Sequence, residues 1–209
     1  MRLRRHPLSL FSAILFATAF ALAQPASRDA WQRPNEVMDA LHLGPGSKVA
    51  DVGAGDGYFT FHLAERVGPT GRVYAEDIDS GVLGQVRSRA ESQGLKQVET
   101  ILGTESDPKL PGNALDAVLI VNAYHEMDEH TAMLKGVLHS LKPGGLLAII
   151  DKEAEPGHDH AWYHSHHRIN HEVVQYEAVR DGLEFVGTRP GFERPDDHSK
   201  WYFLIFRKP

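Results

Sequence analysis

At 209 residues the chain is long enough for one α/β domain with a single core and too short for two domains of ordinary size. It carries 22 basic and 28 acidic residues, and removing Arg2, Arg4 and Arg5, which belong to an N-terminal segment described next, leaves 19 basic residues and a net charge of −9. This excess of negative charge argues against a nucleic-acid substrate, because phosphate backbones require cations. The absence of cysteine excludes disulfide bonds and thiolate metal ligands.

Residues 1–23 have the three parts of a secretory signal peptide. A basic start is followed by the apolar run Leu8–Leu22, and small residues at 21 and 23 form a cleavage site. An apolar run of about 15 residues is short for a membrane span of roughly 20. We therefore expect cleavage after about Ala23, a periplasmic or secreted protein without a stable membrane span, and a single domain over residues 24–209.

The first elements lead up to a glycine-rich turn. A polar lead over residues 24–33 precedes a predicted helix at 35–43 and a buried parallel strand at 48–52, KVADV. Trp31 and Arg33 are candidates for contact with a ligand, although packing at the edge of the domain is slightly favoured. Gly53, Gly55 and Gly57 follow the strand, where the missing Cβ lets a ligand approach the backbone. Their G-x-G-x-G spacing differs from the G-x-G-x-x-G dinucleotide fingerprint.

The next helix and strand bring acidic residues beside the glycine-rich turn. A helix is predicted over 58–67 and a strand over 72–78, which ends in carboxylates. In a doubly wound sheet the end of the second strand lies beside the loop after the first, where a carboxylate can accept hydrogen bonds from ribose hydroxyls. Asp77 is the first choice for that role, with Glu76 and Asp79 as alternatives.

The remaining elements continue the alternation of strand and helix. A helix over 80–93 with Ser80 as N-cap precedes a strand at 98–102, a loop at 103–111 and a buried strand at 114–121. The hexapeptide Asn122–Met127 then lies at the carboxyl edge of the sheet, where ligands bind. A helix at 128–141, a turn at 142–145 and a strand at 146–151 follow; a helix at 170–182 and strands at 183–188 and 201–207 close the chain. This pattern predicts a three-layer α-β-α Rossmann-like sandwich, with a seven-stranded, mostly parallel sheet and an antiparallel C-terminal hairpin.

Four segments in this order resemble the class I S-adenosylmethionine (SAM)-dependent methyltransferases, in the branch of the ubiquinone and menaquinone C-methyltransferases. They are VADVGAGDGYF, VYAEDID, LDAVLIVNAYHEM and LKPGGLLAIID. The resemblance covers residues 35–151 and implies SAM as the cofactor and a small-molecule methyl acceptor. The implied cofactor-binding residues are Asp51, Gly53, Ala54, Gly55, Gly57, Asp77, Ile78, Glu105, Asp107 and Asn122. Ala54 stands where the family often has cysteine, a small-for-small exchange.

The chemistry implied by the resemblance needs orientation and, for a phenol, catechol or acidic carbon, a base. His125 is the best-placed general base, and Tyr124 can orient the acceptor. The alternative for His125 is a structural role, capping the next helix or bonding a backbone carbonyl, and the sequence does not decide between the two.

Residues 155–172 form a histidine-rich segment on the expected acceptor side. His164, His167 and Arg168 are candidate substrate contacts there. The i, i+3, i+7 spacing of His164, His167 and His171 would place three imidazoles on one helical face, and with Asp159 and Glu172 they are able to bind zinc. Because members of the resembled family mostly need no metal, we assign none to this segment.

The sequence thus favours an exported SAM-dependent methyltransferase. One alternative is a catalytically inactive methyltransferase-fold protein that binds a ligand or metal, suggested by the export signal because SAM is made in the cytoplasm. A nicotinamide-dependent oxidoreductase is less favoured by the glycine spacing. The acceptor and the oligomeric state stay open.

Overall fold

The computed structural model describes residues 27–209, so the predicted signal peptide lies outside the described part of the chain. Seven strands form one sheet in the order β3-β2-β1-β4-β5-β7-β6. Strands β1 to β5 run parallel, and β7 lies antiparallel between β5 and β6. Their bounds are β1 Lys48–Val52, β2 Arg72–Asp77, β3 Val98–Leu102, β4 Leu115–Val121, β5 Leu141–Lys152, β6 Glu184–Arg189 and β7 Trp201–Arg207. The predicted fold class is confirmed.

Helices cover both faces of the sheet because its central strands are apolar on both sides. They are α1 Arg28–Gln32, α2 Pro34–Ala40, α3 Tyr58–Val67, α4 Ser80–Ser92, α5 His130–Ser140, α6 His160–Ser165 and α7 His171–Arg180, with a 3-10 turn at Tyr124–Glu126. One apolar core packs α5 and α7 against the sheet, and a second packs α2 and α3 against the opposite face. Within residues 27–209, no helix combines the length and apolar character needed to cross a membrane.

The segment LKPGG does not form the predicted turn before the fifth strand. Strand β5 begins at Leu141, opposite Leu115, and the register then jumps so that Ala117 lies opposite Leu146. The glycines of this bulge bond to the chain terminus: Gly144 N–H donates to Lys208 O, and Lys208 N–H donates to Gly145 O, both at 2.9 Å. Hydrogen bonds to Lys208, which lies far along the chain, therefore set the start of β5.

Two helix starts also differ from the sequence prediction. Asp79, not Ser80, caps α4, because its carboxylate accepts the backbone N–H of Gly81 at 2.7 Å. Helix α5 begins at His130 rather than Asp128, since the 3-10 turn closes first with Met127 N–H donating to Tyr124 O at 3.1 Å.

The described part of the polar lead, residues 27–33, is more ordered than its composition indicates. Residues 28–32 form the short helix α1, whose Gln32 is only 2% exposed. Trp31 packs edge-on against Trp201 with ring centroids 5.4 Å apart, and Arg33 donates to Gly191 O at 2.7 Å. Trp31 and Arg33 therefore pack at the edge of the domain, and α1 carries a different residue, Arg28, to the site.

Candidate functional site

A cavity of about 450 Å³ opens at the carboxyl ends of β1, β2 and β4, where the strand order reverses. This is the position at which open α/β sheets bind ligands. The predicted site residues that line it are Asp51, Gly53, Ala54, Gly55, Asp77, Ile78, Glu105, Asn122 and His164. Eight of the ten predicted cofactor-binding residues thus line one cavity together with His164, and the other six predicted site residues do not line it.

The glycine loop is built from left-handed backbone that favours glycine. Gly53, Gly55 and Gly57 have φ angles of 69°, 53° and 77°. A Cβ on Gly53 would lie 2.5 Å from the Cβ of Ala123, so the loop packs directly against the end of β4. Gly57 does not line the cavity; it precedes α3, and a Cβ there would lie 2.8 Å from the ring of Phe61. The missing Cβ at Gly57 therefore lets α3 begin close to the ring of Phe61.

Asp77 ties the end of β2 to the glycine loop. One carboxylate oxygen accepts the backbone N–H of Gly55 at 2.9 Å, and the other accepts the N–H of Asp79 at 2.9 Å. Asp79 itself is occupied as a helix cap. Asp77 therefore stands on the cavity wall in a fixed orientation, as the ribose role predicted for it requires.

Two more carboxyl groups lie deep in the cavity wall. Asp51 is buried and accepts the hydroxyl of Thr60 at 2.6 Å, and its burial raises its pKa to about 6. Burial also raises the pKa of Glu76 to about 8, opposed by the backbone N–H of Gly53 and reinforced by the charge of Asp77. Glu76 is 1% exposed, and its Oε1 has no hydrogen-bond partner within residues 27–209. This oxygen lies against Gly103, where an added Cβ would be 1.8 Å from it.

The raised pKa of Glu76 predicts that the protein loses stability as pH rises. A carboxyl whose folded-state pKa of about 8 exceeds its ordinary 4.5 stabilises the fold below pH 4.5, and this contribution is lost as pH rises towards 8. The isosteric and uncharged Glu76→Gln should therefore reduce the fall in unfolding free energy between pH 5 and 8.5, measured by urea denaturation at both pH values. The exposed Glu65→Gln on α3 is the matched control. Equal pH dependence in wild type and Glu76→Gln would contradict the assignment.

The edge after β4 places its residues in different surroundings. Asn122 has a left-handed φ of 55°, and its N–H donates to Ile150 O at 2.8 Å, which fixes it on the cavity wall. Tyr124 is fully buried, and its hydroxyl donates to Glu177 Oε2 at 2.9 Å. The prediction that Tyr124 orients the acceptor therefore conflicts with the structure: the side chain belongs to the core.

His125 lies behind the cavity wall and is 1% exposed. Its Nδ1 is 2.9 Å and 3.0 Å from the two carboxylate oxygens of Asp151, a buried residue of β5 that also accepts the His125 backbone N–H at 3.2 Å. Its Nε2 points towards Glu126, 3.4 Å from Oε1, and Glu126 lines the cavity. The imidazole is held in one orientation, and the side chain of Glu126 lies between it and the cavity.

The histidine-rich segment does not form one helical face. Helix α6 ends at Ser165, and His171 opens the separate helix α7, so His164, His167 and His171 point to different partners. His164 lines the cavity with Nδ1 at 3.1 Å from Asp128, and His167 Nδ1 is 3.2 Å from Glu126 Oε1. The predicted three-imidazole face is therefore wrong.

Two further predicted contacts are absent from the cavity wall. Arg168 directs its Nε to the carbonyl of His166 at 3.3 Å. Asp107 accepts the backbone N–H of Lys109 at 2.8 Å, so its carboxylate stabilises a turn while Glu105 lines the cavity. In both cases a local backbone group satisfies the charged side chain.

Further residues complete the wall; among them, Ala123, Glu126 and Met127 belong to the hexapeptide that the sequence placed at this edge, and the others were not indicated. Arg28 of α1 lies with its guanidinium 3.9 Å above the Tyr58 ring and 3.4 Å from Asp56, beside the glycine loop. Further wall residues are Phe59, Thr104, Val121, Ala123, Glu126, Met127, Asp128 and Met133. The only available signal for Arg28 was its i, i+4 spacing to Gln32, whose side-chain oxygen accepts its Nε–H at 2.7 Å.

Comparison with protein families finds a match to the profile described as a methyltransferase domain, over residues 49–145. That range holds the glycine loop, Asp77 and the β4 edge. The chain is also 32% identical over 122 residues to a demethylmenaquinone methyltransferase of Bacillus mycoides, a match that covers 58% of this chain and 51% of that protein. The chain spans about half the length of the curated relatives it matches.

Solved structures share the architecture over most of the chain. A SAM-dependent methyltransferase from Aquifex aeolicus superposes with a TM-score of 0.71 at 24% identity, covering 84% of this chain and 89% of that one. The [4+2]-cyclase SpnF superposes equally well, at 0.71 and 18% identity, covering 85% and 81%. The same fold thus occurs in a protein named as a methyltransferase and in one named as a cyclase, so function has to be argued from the site.

Proposed function

We propose that this protein is a SAM-dependent methyltransferase that acts on a small-molecule acceptor. The observation that carries the proposal is the single cavity at the switch point, walled by the left-handed glycine loop, the carboxylates that end β2 and the edge that follows β4. The methyltransferase-domain match and the names of the similar proteins support this class of activity.

The cavity wall fits the three parts of SAM. Asp77, with Glu76 beside it on the cavity wall, is the acceptor for the ribose hydroxyls. Ile78 is 58% exposed, unusual for an isoleucine at a strand end, and offers an apolar surface to adenine. Arg28 offers a cation to the amino-acid carboxylate beside the glycine loop.

The acceptor side of the cavity is formed by Met127, Asp128, Met133 and His164 together with Glu126. SAM supplies a methyl group on a sulfonium, already activated for in-line displacement. The residues of this chain therefore have to orient the acceptor, exclude water and remove the acceptor proton. We propose that His125 acts on that proton through the Glu126 side chain, because its Nε2 faces Glu126 rather than the cavity.

Binding of the cofactor tests the proposal without knowledge of the acceptor. Titration calorimetry of residues 24–209 should show binding of SAM and S-adenosylhomocysteine at one site and no binding of NADH. Binding of NADH alone would favour the oxidoreductase alternative. Binding of neither sulfur compound would refute the proposal.

Turnover separates an enzyme from a binding protein. Formation of S-adenosylhomocysteine should accelerate with a phenol or quinol among the acceptors tested, a choice suggested by the demethylmenaquinone methyltransferases. If SAM binds tightly but no acceptor is methylated, the catalytically inactive alternative is favoured.

We also propose that residues 1–23 direct export to the periplasm or the medium. Support comes from the basic start, the apolar run and the small residues before the cleavage point. In a bacterial host, the exported fraction should contain a chain that begins at or near residue 24 by N-terminal sequencing. A full-length chain found only in the cytoplasm would contradict export.

A further inference from the structure

We propose that His125, Glu126 and His167 bind a divalent cation of the zinc class beside the cofactor cavity. The site deepens the proposed function and rests on it for its catalytic meaning, because a metal there would act on the methyl acceptor. Its existence as a metal site needs only the three side chains.

The three donor atoms have the spacing of ligands that share one ion. Glu126 Oε1 lies 3.4 Å from His125 Nε2 and 3.2 Å from His167 Nδ1, and all three atoms lie within 4.8 Å of one another. Nitrogen and oxygen ligands sit about 2.0 to 2.2 Å from zinc, which places neighbours in a tetrahedral shell about 3.3 to 3.5 Å apart. The two separations from Glu126 Oε1 are close to those of that shell, and the two imidazole nitrogens lie within 4.8 Å of each other.

The protonation of His125 gives a second, independent reason for a cation. Both oxygens of Asp151 face Nδ1, so Nδ1 carries a proton and, in the neutral ring, Nε2 presents a lone pair. That lone pair points at the carboxylate of Glu126, and Nε2 is buried without a hydrogen-bond partner among residues 27–209. Two acceptors that face each other repel, and a cation shared by them removes the repulsion; a metal ion and a proton on Nε2 both meet this need, and the titrations below distinguish them.

The surroundings have the form of a metal site with an open position. Asp151, His125 and the ion would form the carboxylate–histidine–metal arrangement that fixes a ligand ring. Two imidazoles and one carboxylate suit zinc and neighbouring transition metals. Three protein ligands leave room for a fourth, and Glu126, the one ligand of the three that lines the cavity, would bring the ion to the cavity edge.

The open position indicates the acceptor class. With the ion bound, His125 Nε2 and Glu126 would be its ligands, and the ion would replace the proton transfer proposed for them above. A hydroxyl or thiol that binds the ion as an anion would release its proton to water, and the anion would then attack the methyl carbon. The new bond forms to oxygen or sulfur as the sulfonium C–S bond breaks and leaves a neutral thioether.

A second histidine–carboxylate cluster lacks this geometry. His160 Nε2 is 2.6 Å and His130 Nε2 is 3.2 Å from Glu177 Oε1, while the Tyr124 hydroxyl donates to the other oxygen. A separation of 2.6 Å is that of a charge-assisted hydrogen bond and is too short for two ligands of one ion. This cluster therefore serves as an internal control.

Zinc and cobalt(II) titrations of metal-free, tag-free residues 24–209 test the site. We expect one equivalent of zinc, and for cobalt the intense visible absorption of a four-coordinate ion. Glu126→Gln and His167→Ala should each raise the Kd for zinc at least about tenfold, since even second-shell changes weaken metal affinity about 10- to 100-fold. His160→Ala should leave the Kd unchanged, as should His198→Ala, which removes an exposed histidine 2.9 Å from Glu193.

The outcomes separate the metal site from the proposed function. Absence of stoichiometric zinc, or equal affinity in wild type, Glu126→Gln and His167→Ala, overturns the site, as does a loss that follows His160→Ala. In that case an imidazolium at His125 accounts for the contact with Glu126. Zinc binding without SAM binding would refute the methyltransferase proposal and leave the metal site standing. SAM binding without zinc binding would refute the metal site and leave the methyltransferase proposal standing.

Discussion

Replacing His125 with alanine should reduce methyl transfer at least about 100-fold while SAM affinity stays within a factor of two or so, since a positioned proton-transfer group contributes about 10² to 10⁴ in rate. The imidazole does not line the cofactor cavity, so its loss removes no direct cofactor contact. What is lost is the Nε2 that faces Glu126. The readouts are SAM calorimetry and the rate of S-adenosylhomocysteine formation with the best acceptor.

A more conservative variant keeps this prediction from depending on stability. His125→Ala removes the ring nitrogen that lies against both oxygens of the buried Asp151, and leaving a buried polar group without its partner costs about 1–3 kcal/mol, more for a charged group. In His125→Asn the amide N–H lies near the position of Nδ1 and can still donate to Asp151, but nothing replaces Nε2. This variant should therefore be folded, bind SAM and be as inactive as the alanine variant.

Unchanged turnover in His125→Asn would show that Nε2 has no part in the reaction. The ring would then serve only to satisfy Asp151, the structural role that the sequence left open. A parallel loss of SAM affinity and turnover would instead mean that the β4 edge has collapsed into the cavity, which the melting temperature would reveal.

The fold was predictable because it is encoded locally. Each parallel strand is a short apolar run, each is followed by a polar or glycine-rich break, and helical spacing fills the intervals. The boundary at Leu141 was not predictable in this way, because the bulge around Gly144 is fixed by hydrogen bonds to Lys208, which lies far along the chain. The local sequence pattern therefore identifies the helices and strands, and hydrogen bonds to distant residues set where they begin and end.

The same distinction applies to the site. Gly53 directly follows β1 and Asp77 is the last residue of β2, so the sequence alone places them at the sheet edge. Tyr124 follows a strand too, but Glu177 of a distant helix accepts its hydroxyl and holds the side chain in the core. The sequence predicted no site role for Asp151, because a single carboxylate at the end of an apolar strand does not indicate its partner. Only the fold shows that it faces His125.

Gly53→Ala should abolish measurable SAM binding, with a loss of at least about 100-fold in affinity, which corresponds to about 2.7 kcal/mol. Two effects combine at this position. A left-handed φ of 69° costs a residue with a Cβ about 1–2 kcal/mol, and the added Cβ would lie 2.5 Å from that of Ala123. The clash pushes the glycine loop away from the β4 edge, so the two walls that the cofactor would touch separate.

Gly68→Ala separates backbone strain from the clash. Gly68 ends α3 with a similar φ of 65°, but a Cβ there meets nothing within 4 Å, and the residue does not line the cavity. Because its ψ of −175° puts Gly68 in a backbone region almost confined to glycine, this variant should lose about 1–3 kcal/mol of unfolding free energy and keep full SAM affinity. If Gly68→Ala weakens SAM binding as much as Gly53→Ala does, general destabilisation explains both. If Gly53→Ala binds SAM normally, the cofactor does not lie against this loop, and the site would have to be sought elsewhere in the cavity.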